Sequence, residues 1–181
     1  MRSEWIEKGE MEHVLAALMP ENRLACEISL ATGLRINDVL SLKASDVKKQ
    51  RFTIREQKTG KTRSVYLPAP LWRACLENSG QIFVFPHRLN GREHRTRQAV
   101  FKDLKRAAKA FRCTENVCPH SLRKIYATCE FEKHHDLKRV QRLLNHSDEA
   151  VTMIYAMANS IRRFPKKSLT KADRKIILRV R

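Results

Sequence analysis

Apolar residues recur at helical spacing in two early runs, Met11 to Leu18 and Glu21 to Thr32, with Leu24, Ala25, Ile28 and Ala31 forming one stripe of the second. Gly33 falls where a left-handed residue would end that helix. A short helix from Ile36 to Leu42 follows, with Ile36, Val39 and Leu40 inward, so Arg35 is predicted at a helix start just behind a glycine turn. The period then changes to two. Arg51 to Glu56 and Arg63 to Leu67 alternate as strands do, and Thr59-Gly60-Lys61 supplies turn chemistry between them, which predicts a β-hairpin with Lys58 near its tip. Pro70 to Asn78 reads as a helix, Gln81 to Phe85 as a short strand closing the sheet, and Pro86 to Arg95 as a polar loop. Thr96 is placed to cap a long helix reaching Phe111, and Pro119 and Ser121 to open another that carries His120 and Arg123. A helix over Asp136 to Leu144 and a last amphipathic one from near Asp148, with Val151, Ile154 and Met157 inward and Tyr155 beside them, complete the pattern. The expected class is mainly α with a small antiparallel β-sheet, α+β.

Charge decides the kind of partner. Lys and Arg number 37 against 19 Asp and Glu, a net charge of +18 on 181 residues, so a polyanion is the expected partner because neutralising its phosphates releases condensed counterions. Nucleic acid is the first expectation and an anionic membrane surface the second. The apolar stretches are too short to span a bilayer and the start, Met-Arg-Ser-Glu-Trp, has no signal-peptide core, so a soluble, cytoplasmic protein with no membrane span is expected. The 42% hydrophobic content suffices for a buried core.

The five cysteines form no CxxC pair, so free thiols are expected and a zinc ribbon is not. His134-His135 has no second pair at ligand spacing, and no Asp/Glu cluster of the kind that holds two magnesium ions is evident. The chemistry is therefore expected to need no metal and no cofactor.

One set of residues carries a reaction. His120 and Arg123, three apart on a helix, project from one face and can touch the same phosphate. Arg35, Lys58 and His146 add further cationic or hydrogen-bonding groups, and cations aimed at the equatorial oxygens of a phosphodiester are the largest source of acceleration available without a metal. Three tyrosines are candidate nucleophiles. Tyr66 falls in a strand, and Tyr126 lies one helical turn from Arg123 and is poorly placed for in-line attack, which leaves Tyr155, nine positions after His146. In this arrangement His120 is a plausible base, Arg35, Arg123 and His146 stabilise the transition state, and Lys58 protonates the leaving oxygen, with Lys61 more suited to a phosphate contact. Lys102, Lys105, Arg106 and Lys109, on the exposed side of one helix, and the basic stretch from Arg162 are expected to lie along DNA phosphates without reading sequence.

Arg35 within Thr-Gly-Leu-Arg, Lys58 in the hairpin, His120-Ser121-Leu122-Arg123 followed by Ala127-Thr128, then Leu144-Asn145-His146-Ser147 and Tyr155 resemble the tyrosine recombinases, or phage integrases, in the order that family uses. The resemblance runs from about Met11 to Tyr155. It implies the tyrosine recombinase catalytic-domain fold over residues 1–158, a basic tail over 159–181, and strand exchange on double-stranded DNA through a 3′-phosphotyrosine and a Holliday junction. It also implies a homo-oligomer, a tetramer on DNA that can be a monomer when free. The segment after the tyrosine often docks on a neighbouring protomer in this family, with Ile161, Phe164 and Leu169 as anchors here, and Asp38 matches an acidic position expected to buttress a catalytic arginine. Asn145 stands where glycine is commoner and Lys124 where histidine often follows the second arginine. The family's N-terminal core-binding domain is expected to be absent. A type IB topoisomerase and a non-catalytic DNA-binding accessory protein of the same fold remain the alternatives.

Overall fold

The structure, a computed structural model, describes residue 6, residues 8–113 and residues 115–144. His146, Tyr155 and the basic tail lie outside the described residues. The element order is α1 (Lys8–Ala16), α2 (Pro20–Thr32), α3 (Ile36–Leu40), β1 (Arg51–Arg55), β2 (Thr62–Tyr66), α4 (Ala69–Asn78), α5 (Arg97–Ala110), α6 (Pro119–His134) and α7 (Leu137–Leu144).

Helix α2 is central, packing against α1, α3, α4, α5 and α6. Its buried face includes Leu24, Ala25, Cys26 and Ile28, and full burial of a side chain such as Ile28 is worth about 1.5–3 kcal/mol. The predicted stripe shifts at its end. Ala31 is exposed, and Ser29 and Thr32 are buried in its place. Their hydroxyls are satisfied locally, Ser29 Oγ donating to Leu34 O and Thr32 Oγ1 to Ile28 O, each at 2.7 Å, so a polar residue is tolerated on the inner face.

A second polar knot joins α2 to α5. Asp103 Oδ2 accepts from Asn22 Nδ2 at 2.7 Å and from the Met19 N–H at 2.9 Å, while Oδ1 accepts from Arg106 Nη2 at 2.7 Å. Arg106 also donates to Ala17 O at 2.6 Å, and Lys105 to Asn116 Oδ1. Two of the four basic residues expected to be open to DNA along α5 thus have intramolecular partners. Thr96 caps α5 as predicted, accepting from Ala99 N–H at 3.2 Å.

The hairpin pairs Arg51 with Tyr66 through Arg55 with Thr62, antiparallel, and is the whole of the sheet among the described residues. Gln81 to Phe85 does not close it. Instead Lys43 bridges Phe83, with Ala44 N–H donating to Ile82 O and Val84 N–H to Leu42 O, because the chain leaving α3 offers the nearer unpaired backbone. All five cysteine thiols are free, and burial pushes the Cys75 thiol up to about 12 and Cys26 higher still, which makes both inert.

Candidate active site

Three backbone junctions bring the cationic side chains together. Gly33 ends α2 in the left-handed region at φ 67°, and its Cα faces the ring of Tyr126 so closely that a side chain has no room. Leu34 is then buried, and Arg35 follows in extended conformation as the residue preceding α3. The glycine turn therefore aims Arg35 from the end of the central helix.

The second junction is the start of α6. Pro119 occupies its first turn, Ser121 Oγ accepts from Cys118 N–H at 3.3 Å, and the Ser121 N–H donates to Cys118 O at 2.9 Å. This fixes the turn that carries His120, while Arg123 one turn on is only 1% exposed. A buried guanidinium needs acceptors. Arg123 donates from Nη1 to Gly33 O at 2.8 Å and from Nη2 to Leu144 O at 2.5 Å, so its planar fork is held between the end of α2 and the end of α7.

The third junction is the turn bearing Lys58. The Gly60 N–H donates to Glu56 O at 2.8 Å and the Glu56 N–H to Lys61 O at 2.9 Å, with Gly60 at φ 66°. Side chains hold the turn on both flanks of the lysine. Asp38 Oδ1 accepts from the Gln57 N–H at 2.9 Å, and Glu56 Oε2 accepts from Thr59 Oγ1 at 2.9 Å. The turn is thus tied to α3 through the bond between Gln57 and Asp38.

These junctions open on one cavity of about 470 Å³, lined by Arg35, Ile36, Asn37, Asp38, Gln57, Lys58, Arg97, Pro119, His120 and Arg123. Four of the six expected site residues, Arg35, Lys58, His120 and Arg123, line it together. The other two, His146 and Tyr155, lie outside the described residues. Lys61 is exposed and does not line this cavity. Tyr126 is packed against Gly33, and burial raises its hydroxyl above the ordinary phenol value although Arg63 opposes this, which disfavours its use as a nucleophile.

Electrostatics shape the cavity floor. Asp38 is 4% exposed, and burial raises its pKa above the usual aspartate value, opposed by the Gln57 N–H and by the charges of Arg35 and Arg123. Arg35 donates from Nη1 to Glu56 Oε2 at 3.0 Å, and Arg63 Nη1 lies 3.9 Å from Glu56 Oε1 while its Nη2 donates to Thr32 O. Guanidinium, imidazole and ammonium groups lining one cavity are donors of the kind that a phosphoryl group's oxygens accept.

Glu56 and Arg97 were not singled out by the sequence reading. The alternation Phe52, Ile54, Glu56 carries the inward face of β1 one residue past its end, and a charge at a core position was the available signal. Arg97 opens α5, the positive end of a helix, where a cation is unfavourable and thus placed for something other than helix stability.

The sequence profile of the phage integrase family matches residues 4–162. A tyrosine recombinase of Thermosipho africanus is 30% identical over 162 residues, covering 84% of this chain and 56% of that protein. The lambda integrase catalytic core superposes with a TM-score of 0.67 at 23% identity, covering 80% of this chain and 92% of that one. A lambda integrase tetramer bound to a Holliday junction gives 0.67 at 24% identity, covering 84% of this chain and 48% of that one. This chain spans about half the length of the curated relatives it matches. The cationic cavity therefore sits in the tyrosine recombinase catalytic-domain fold, and the chain belongs to the phage integrase family.

Proposed function

We propose that this chain cuts and rejoins double-stranded DNA as the catalytic part of a site-specific tyrosine recombinase. The observation that carries this reading is the convergence of Arg35, Lys58, His120 and Arg123 on a single cavity. In the proposed step the Tyr155 hydroxyl attacks phosphorus and passes its proton to His120. The P–O5′ bond breaks, the strand stays attached through a 3′-phosphotyrosine, and the departing 5′-oxygen takes a proton from Lys58. Arg35, Arg123 and His146 balance charge on the non-bridging oxygens. The ester keeps the energy of the broken bond, so rejoining is the same step reversed with a new 5′-hydroxyl.

Relatives support the substrate and the assembly. Lambda integrase has been seen as a tetramer on a Holliday junction, and action of this chain as an oligomer on DNA is the corresponding reading here. The net charge of +18 favours the same polyanion. Among the described residues no helix is long and apolar enough to cross a membrane.

The test is incubation with a library of nicked duplexes with randomised arms, then denaturing electrophoresis and mass spectrometry of any covalent protein–DNA adduct. The expected result is an adduct at Tyr155 that Tyr155→Phe cannot form. Equal adduct from Tyr155→Phe, or DNA binding with no adduct from any duplex, would overturn the reading.

A further inference from the structure

Glu56 is 0% exposed and lies one residue beyond β1, at the base of the turn that carries Lys58. Its Oε2 accepts hydrogen bonds from Arg35 at the α2–α3 junction at 3.0 Å and from Thr59 in the turn at 2.9 Å, while Arg63 of β2 stands off Oε1 at 3.9 Å as an ion pair without a hydrogen bond. Burial of a carboxylate is expensive and is tolerated only with such partners, and replacing it by an apolar residue of similar volume is often no less stable. A group retained at that cost is a candidate for a task other than stability.

We infer that Glu56 is a positioning residue that sets the Lys58 turn and the Arg35 guanidinium in one fixed relation. The path to Lys58 is short. Thr59 follows the lysine directly and is gripped by Glu56, while Gln57 precedes it and is gripped by Asp38, so the backbone of Lys58 is clamped from both sides. The path to Arg35 is direct, through the Nη1–Oε2 bond. One carboxylate thus ties the donor to the leaving oxygen to a donor to the non-bridging oxygens. A displacement of about 1 Å at either costs on the order of 10²-fold in rate. Glu56 itself does not line the cavity.

This inference rests on the function proposed above, and its test separates the two. Single-turnover cleavage is measured on a duplex that the wild-type protein cleaves and on the same duplex with sulfur in place of the bridging 5′-oxygen, a leaving group that needs no proton. Absence of a wild-type adduct would refute the proposed function. With the wild-type adduct present, Thr59→Val removes one grip without leaving a buried charge. It should slow the ordinary substrate about tenfold, recover on the sulfur substrate, leave the DNA dissociation constant within about threefold, and have no further effect in a Lys58→Ala background. Glu56→Gln should slow both substrates, the ordinary one more, because Arg35 loses its ionic partner as well. A wild-type rate for Thr59→Val on the ordinary substrate, or equal slowing on both, overturns the inference. Should Glu56→Gln fail to fold, Thr59→Val alone decides.

Discussion

A methyl group added at position 33 would lie 2.3 Å from Cδ1 of Tyr126, well inside van der Waals contact with that half-buried ring. The carbonyl of that same Gly33 accepts Arg123 Nη1 at 2.8 Å, so the turn that cannot carry a side chain also holds a guanidinium that lines the cavity. Gly33→Ala should therefore lower stability by at least about 2 kcal/mol, from the left-handed backbone and the clash together, and slow cleavage further than the folded fraction explains. Denaturant unfolding combined with single-turnover cleavage per folded molecule tests this, and a variant with wild-type stability would contradict it.

Lys58 and Lys61 share one turn, and Lys58 alone of the two lines the cavity. Lys58→Ala should slow cleavage of an ordinary phosphodiester by about 10²-fold or more, with most of the loss restored by a sulfur leaving group. Lys61→Ala should leave the rate per bound complex unchanged and reduce the salt dependence of DNA binding by about one unit of slope. The opposite pattern would exchange their roles.

Burial raises the Asp38 pKa, so the native state binds a proton there more readily than the unfolded chain does. The contribution of this group to stability is then greatest below the ordinary aspartate value of 3.8 and declines as pH rises from there through the raised native value. Asp38→Asn removes that decline while keeping an oxygen for the Gln57 N–H. The variant should be at least as stable as wild type at pH 7, with the difference closing as pH approaches 3.5. A difference that grows on acidification would show the carboxylate to be net stabilising.

Asp103 behaves oppositely. Burial works against its ionisation, but hydrogen bonds from Asn22, the Met19 N–H and Arg106 outweigh that and hold its pKa below the usual value. Its stabilisation is fully present above 3.8 and fades as pH falls through the depressed native value. Asp103→Ala orphans these donors and should cost about 2–4 kcal/mol in denaturant unfolding at pH 7, whereas Asp103→Asn keeps an acceptor and should cost less.

Much of this fold was legible because periodicity reports which face is buried. The α2 and α5 boundaries, the Thr96 cap and the existence of the hairpin follow from local signals, and the grouping of Arg35, Lys58, His120 and Arg123 follows from their order along the chain. What failed was pairing at a distance. Gln81 to Phe85 has strand composition, but its partner is the chain after α3, a choice made by tertiary proximity and invisible to a window of residues. Glu56 was missed for a related reason: its alternation parity marks it as buried, while the arginines that make burial tolerable come from positions 35 and 63.

The fork of Arg123 between Gly33 O and Leu144 O has a bearing on inheritance as well as on chemistry. Loss of this arginine would unfasten two helix ends whatever its part in the proposed reaction, so a copy without DNA cleavage would still need it for folding. Its presence in a sequence is accordingly poor testimony to activity. Exposed Lys58, whose replacement leaves the core untouched, is the residue whose retention or decay would tell a working recombinase from a silent copy.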